Sequence, residues 1–180
     1  MRILVDIDGV CLDLCSAVLD VYNQEWKDNL KYEEIKKYDI SLFVNPACGK
    51  SMYGYFERDN IYDKVNIIKG SLDGVIRLRA WGHDVVFVTS GLFPAKVRAL
   101  QKRAFLLDMK GDYHYAKDVI VAHDKSMIRG DLLIDDKPEN LRGHVGLLFD
   151  QPWNRESTLP RVYDWQGVLK KVEEMCPRTS

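Results

Sequence analysis

Apolar residues in this chain gather into short continuous runs, separated by stretches in which they recur at helical spacing. Residues 2–7 form the first run. It is rich in β-branched side chains, is bounded by Gly9 and reads as a buried strand. From Leu12 to about Trp26, Leu14, Ala17, Val18, Val21 and Tyr22 follow a helical period. Residues 27–69 differ: Lys, Tyr, Asn and Asp dominate, no strongly apolar strand occurs, and short helices are expected near 32–38 and 49–58. A helical pattern resumes at Ser71 and stops at Gly82. Residues 85–88 read as a second strand, ending in Thr89-Ser90-Gly91, and Pro94 suits the first turn of a following helix. Residues 119–122, 132–134 and 145–149 read as the third, fourth and fifth strands, and 164–175 as a terminal amphipathic helix.

Short apolar strands alternating with helices predict an α/β fold: a Rossmann-like parallel sheet of about five strands, covered by helices on both faces. The stretch 14–69 is expected to form a small helical cap inserted after the first strand, with 1–13 and 70–180 making the core domain. In such sheets ligands bind beyond the carboxyl ends of the strands. Three of the five expected strands end there in polar clusters: Asp6 with Asp8, Thr89 with Ser90, and Asp135 with Asp136.

Composition then narrows the chemistry. With 26 basic and 27 acidic residues the formal charge is −1, which gives no reason to expect a nucleic-acid polymer or an anionic membrane as partner. A small anionic substrate is compatible with that balance. No apolar run approaches the roughly 20 residues that span a bilayer. The apolar N-terminal run stops at Asp6, too short for a signal peptide, and a cytoplasmic location is expected. The four cysteines form no CxxC pair; Cys11 and Cys15 would share one helix face as reduced thiols. Lys96, Arg98, Lys102 and Arg103 read as the solvated face of a helix. The sequence leaves a homodimer open.

Four carboxylates converging in one crevice repel one another unless a hard cation neutralises them, and Mg²⁺ takes oxygen ligands together with waters and a substrate phosphate. Thr89 and Ser90 offer hydroxyl and backbone donors for such a phosphate. Lys125, just past the third strand, offers a compact positive charge. Each signal alone is weak, since Asp-Gly turns, helix-capping Ser and solvated Lys are common; their joint order carries the reading.

That order resembles the four motifs of the haloacid dehalogenase superfamily of phosphatases: Asp6-Ile7-Asp8-Gly9-Val10 after a strand, Thr89-Ser90, Lys125, and Asp135-Asp136. His123-Asp124-Lys125-Ser126 and the segment from Gly130 to Pro138 are similar to the 5′(3′)-deoxyribonucleotidase family, as are Trp153-Asn154-Arg155 and Val162-Tyr163-Asp164-Trp165. The resemblance implies that Asp6 attacks phosphorus and that Asp8 serves as general acid and then base. It implies that Thr89, Ser90 and Lys125 bind phosphate, and that Asp6, Asp8 and Asp136 hold Mg²⁺ with Asp135 in support. The implied substrate is a pyrimidine deoxyribonucleoside 5′- or 3′-monophosphate. A phosphatase acting on another small ester, or a non-catalytic nucleotide-binding regulator, are the alternatives. Leu14 stands where the family pattern has an aromatic, and Asn60-Ile61-Tyr62 where it has a Phe-rich stretch. His123 replaces a basic residue of the pattern. Leu14, Tyr62 and His123, with Phe43 as an aromatic of the expected cap able to stack on a base, are the candidate substrate contacts.

Overall fold

A computed structural model describes residues 1–58, 60–90 and 119–177. The helix expected from Pro94 and the basic strip at 96–103 lie outside the described residues. The central sheet is built from β1 (Arg2–Val5), β4 (Asp84–Thr89), β5 (Val119–Val121), β6 (Leu132–Asp135), β7 (Gly146–Phe149) and β8 (Arg161–Val162). Its strands are all parallel and ordered β5-β4-β1-β6-β7-β8. Counted along the chain, that is the doubly wound order 3-2-1-4-5-6, with the winding direction reversing at β1. The sheet thus has a sixth strand beyond the expected five. β8 has two residues, too few to leave a hydrophobic pattern.

Alternation along the strands explains why both faces are buried. Ile3 and Val5 of β1, Leu132 and Ile134 of β6, and Leu147 and Phe149 of β7 join one apolar cluster. Leu4, Leu133 and Leu148 point the other way and join a second cluster with Val88. The first cluster continues into the helices and the 35–65 region, so one core supports both the sheet and the segment above it.

After β1 the chain makes a tight loop, pairs β2 (Leu12–Asp13) antiparallel with β3 (Asn66–Ile67), and enters α1 (Leu14–Trp26). The helix thus starts two residues later than the apolar period suggests. The Asp13 carboxylate accepts a hydrogen bond from the Ser16 backbone N–H at 3.1 Å and caps it. Residues 27–65 hold 3₁₀ turns at Tyr32–Glu34, Ile40–Leu42, Gly49–Met52 and Ile61–Asp63, and one four-residue helix, α2 (Tyr53–Phe56). The helix expected over 32–38 is only a turn, because Ile35 alone in that stretch is buried and no apolar period sustains more.

α3 (Ser71–Ala80) and α4 (Trp165–Met175) pack together on one face of the sheet. Gly74 makes this possible: a Cβ there would stand 2.2 Å from Cε3 of Trp165. The buried Trp165 indole donates to the Val10 carbonyl at 2.9 Å, which ties the helix pair to the loop after β1. Gly74→Ala gains helix propensity of about 1 kcal/mol. It nevertheless forces the indole out of place, and a net loss of about 1–3 kcal/mol is expected in urea unfolding. Wild-type stability in the variant would contradict this packing.

Candidate active site

β1, flanked by β4 and β6, brings three polar strand ends side by side. The Asp6 N–H still donates to the Ile134 carbonyl at 2.9 Å, so the nucleophile candidate sits one residue past β1 on paired, fixed backbone. Asp8 follows in a loop closed by Gly9 N–H donating to the Leu12 carbonyl at 2.8 Å. Gly9 has φ +81°, and a Cβ there would lie 2.8 Å from the Asp136 carboxylate oxygen Oδ2. No other residue combines that backbone conformation with so close an approach.

A cavity of about 230 Å³ opens over these strand ends. Asp6, Asp8, Thr89, Ser90 and Asp136 line its floor, and Leu14, Ile35, Tyr38, Ile40, Tyr53 and Phe56 line its other walls. The sequence-expected catalytic and phosphate residues therefore meet in one place. Lys125 and Asp135 stand just beneath. Lys125 occupies a 3₁₀ turn, Lys125–Met127, capped by the Asp124 carboxylate, which accepts from the Ser126 N–H at 3.0 Å. Its Nζ lies 2.7 Å from Asp6 Oδ1 and 2.6 Å from Asp135 Oδ2, with only 1 % of its side chain exposed. Asp135 also accepts from the Lys137 N–H at 2.9 Å and from the Asn140 side chain at 3.0 Å.

Electrostatics here are unbalanced. Burial raises the Asp136 carboxyl well above its ordinary value, and the nearby charges of Asp135 and Asp6 raise it further. Burial and Asp6 raise Asp135 likewise, against the pull of Lys125. For Lys125, burial alone favours the neutral amine, but Asp6 and Asp135 outweigh it and hold the ammonium charged. Oxygen atoms of Asp6, Asp135 and Asp136 lie within 4.8 Å of one another, all three residues being buried. Three buried carboxylates against one ammonium leave an excess of negative charge, and every donor atom is a hard oxygen. This set fits a hard divalent cation, which would remove that excess.

Of the four candidate substrate residues, Leu14 lines the cavity. Tyr62 is buried behind it, with its hydroxyl 3.3 Å from Asp8 Oδ2. Phe43 packs against the apolar core, and His123 is exposed after β5; neither is among the lining residues. Sequence reasoning quoted Trp153 only as part of the family resemblance and passed over Gln151 and Tyr38. The Trp153 indole lines the cavity and donates to Asp136 Oδ2 at 2.9 Å. Gln151 donates to the Gly9 carbonyl at 2.6 Å. Lys137 Nζ lies over the Tyr38 ring, 4.5 Å from its centre. A signal for the first two existed: they follow β7, whose carboxyl end borders the same crevice.

A haloacid dehalogenase-family hydrolase from Deinococcus radiodurans, solved with bound phosphate and sodium, superimposes with a TM-score of 0.62 at 15% identity, over 96% of this chain and 95% of its own. That likeness places the chain in the fold class of the haloacid dehalogenase hydrolases. The chain is 25% identical over 174 residues to a 5′(3′)-deoxyribonucleotidase of Clostridium acetobutylicum, covering 95% of this chain and 94% of that one. To a 5′(3′)-deoxyribonucleotidase of Bacillus subtilis it is 28% identical over 176 residues, covering 94% and 97%. Residues 1–176 match the family described as 5′ nucleotidase, deoxy (pyrimidine), cytosolic type C protein, and the chain belongs to that family. Among the described residues, no helix is long and apolar enough to cross a membrane.

Proposed function

We propose that the protein is a Mg²⁺-dependent nucleotidase that hydrolyses pyrimidine deoxyribonucleoside 5′- or 3′-monophosphates through an aspartyl-phosphate on Asp6. The observation that carries this reading is the position of Asp6. It lines the cavity floor beside Thr89 and Ser90 and contacts the Lys125 ammonium at 2.7 Å.

Substrate phosphate binds to the Thr89 and Ser90 hydroxyl and backbone groups, while Lys125 offsets the charge of Asp6. An Asp6 carboxylate oxygen attacks phosphorus as the bond to the 5′ or 3′ oxygen breaks. Asp8 gives its proton to that departing oxygen, and the nucleoside leaves. Asp8, now a carboxylate, takes a proton from a water that attacks the aspartyl-phosphate; phosphate departs and Asp6 is regenerated. Asp6, Asp136 and the Asp8 backbone carbonyl would hold Mg²⁺, with Asp135 behind them, and when bound the ion neutralises charge that builds on the transferring phosphoryl group.

Residues 14–69 act as a cap over this chemistry. The chain enters and leaves that segment through the β2–β3 pair, and the Ile68 N–H donates to the Cys11 carbonyl at 2.8 Å. Leu14, Ile35, Ile40 and Phe56 give the cap side an apolar surface for sugar and base, with the Tyr38 and Tyr53 rings available for contact. The test is phosphate release from a panel of nucleoside monophosphates and sugar phosphates, with and without Mg²⁺. Mg²⁺-dependent release from dUMP and dTMP, well above dAMP, dGMP and the sugar phosphates, is expected. Preference for sugar phosphates would overturn the substrate, and undiminished release in EDTA would overturn the metal.

A further inference from the structure

We infer that Trp153 is a positioning residue for the metal ligand Asp136 and links that ligand to the wall of the substrate cavity. This rests on the site reading given above. Three observations support it.

First, the Trp153 Nε1–H donates to Asp136 Oδ2 at 2.9 Å, while a face of the same residue lines the cavity. Second, Asp136 has little freedom left. Gly9 closes on the same carboxylate, and the Asn154 side chain donates to the Asp136 backbone carbonyl at 2.7 Å. The indole hydrogen bond fixes the remaining rotation of the carboxyl group, which decides how its oxygens face Asp6 and Asp135. Third, the loop that carries Trp153 is itself held from several sides, as a positioning element must be. Pro152 opens the 3₁₀ turn Pro152–Asn154, and Asn154 also donates to the Phe149 carbonyl at 2.8 Å. Arg161 donates to Asn154 Oδ1 at 2.5 Å and to Asp150 Oδ1 at 2.7 Å. From the opposite side, the Tyr32 ring meets the indole edge-on at 5.6 Å between centres, and its hydroxyl donates to Gln151. An ion pair of 2.7 Å between Arg155 and Glu33 runs beside them.

Hydrogen-bond partners that orient metal ligands typically change metal affinity by about 10–100-fold when removed. Trp153→Phe keeps a ring against Tyr32 and deletes the donor. In metal-free protein, calorimetric titration with MgCl₂ is expected to give a dissociation constant roughly 10–100-fold weaker than wild type. In turnover, the Mg²⁺ concentration for half-maximal rate rises in the same proportion. A residue that merely filled space would lower thermal stability and leave the Mg²⁺ affinity alone. A second measurement needs no variant. In ¹⁵N-labelled wild-type protein, assigned by triple-resonance spectra, the Trp153 indole N–H resonance moves with Mg²⁺ and saturates. The resonance of Trp26, whose indole donates to the Tyr55 hydroxyl at 3.0 Å, stays in place.

If wild type binds Mg²⁺, while Trp153→Phe binds it equally well and the indole resonance does not move, the inference is overturned and the nucleotidase reading stands. If wild type binds no Mg²⁺, the metal reading fails and takes this inference with it. If the variant does not fold, the wild-type resonance decides alone.

Discussion

Asp6→Asn is expected to abolish nucleotide hydrolysis, with a loss on the order of 10⁴–10⁶ in kcat, the range seen when single members of a covalent catalytic set are removed. The size follows from the reaction. Uncatalysed phosphate-monoester hydrolysis is among the slowest reactions known, so nearly all of the rate depends on the groups around the phosphorus. An amide at position 6 is a poor nucleophile and carries no charge for the Lys125 ammonium 2.7 Å away. The substitution is close to isosteric, so the fold is expected to survive, and circular dichroism with thermal unfolding would verify that. A rapid acid quench with phosphate-labelled dTMP separates the covalent step from mere binding. Label is expected on the wild-type protein and none on Asp6→Asn. Turnover within ten-fold of wild type would mean that another group attacks phosphorus.

Lys125→Met should damage both stability and rate. Nζ bridges Asp6 and Asp135 at 2.7 and 2.6 Å, and the side chain is 1 % exposed. Methionine fills most of the same channel, one atom shorter, and leaves Asp6, Asp135 and Asp136 with no ammonium among them. Breaking a buried ion pair by removing one partner costs about 3–5 kcal/mol, because the remaining charges keep their desolvation penalty. Urea unfolding in metal-free buffer is expected to show a loss of that size. Added Mg²⁺ should restore part of it, since a ligand that binds the folded state alone stabilises it. The rate at saturating Mg²⁺ should still fall by about 10²–10³, the scale for losing one fixed electrostatic contact to a transition state. Wild-type stability without metal would show that Lys125 does not balance these carboxylates.

The two variants separate what kinds of information the chain carries. Asp6 was legible because its neighbours on both sides are strongly patterned. Ile3, Leu4 and Val5 read as a buried strand, and the parallel arrangement places the next polar residues at a ligand-binding edge. The same reasoning found Thr89, Ser90, Asp135 and Asp136, each at the end of an apolar run. Lys125 was nominated by its place past the third strand. Its depth was not readable, because a solvated and a buried lysine look alike in sequence and only packing tells them apart.

The cap side of the cavity was the poorest region in sequence terms. Beyond α1, its elements among the described residues are 3₁₀ turns and a four-residue helix, too short to impose a period. The sequence singled out Phe43 and Tyr62, yet it could not say that Tyr62 would be buried 3.3 Å from Asp8 Oδ2 while Phe43 packs, half-buried, against the core. The pairs Trp153–Asp136, Gln151–Gly9 and Tyr32–Gln151 span separations of 17, 142 and 119 residues. No local pattern encodes such contacts.

By itself, then, the sequence determined the parallel α/β class, the polar strand ends that border the cavity, and the acid, hydroxyl and lysine groups gathered there. Those properties follow from hydrophobic period and from residue type, both of which are local. Only the tertiary structure decided the order β5-β4-β1-β6-β7-β8, the burial of Lys125 between two carboxylates, and the indole hydrogen bond that holds Asp136. These depend on which distant segments share a surface, and that is settled by packing a common core rather than by any single stretch of chain.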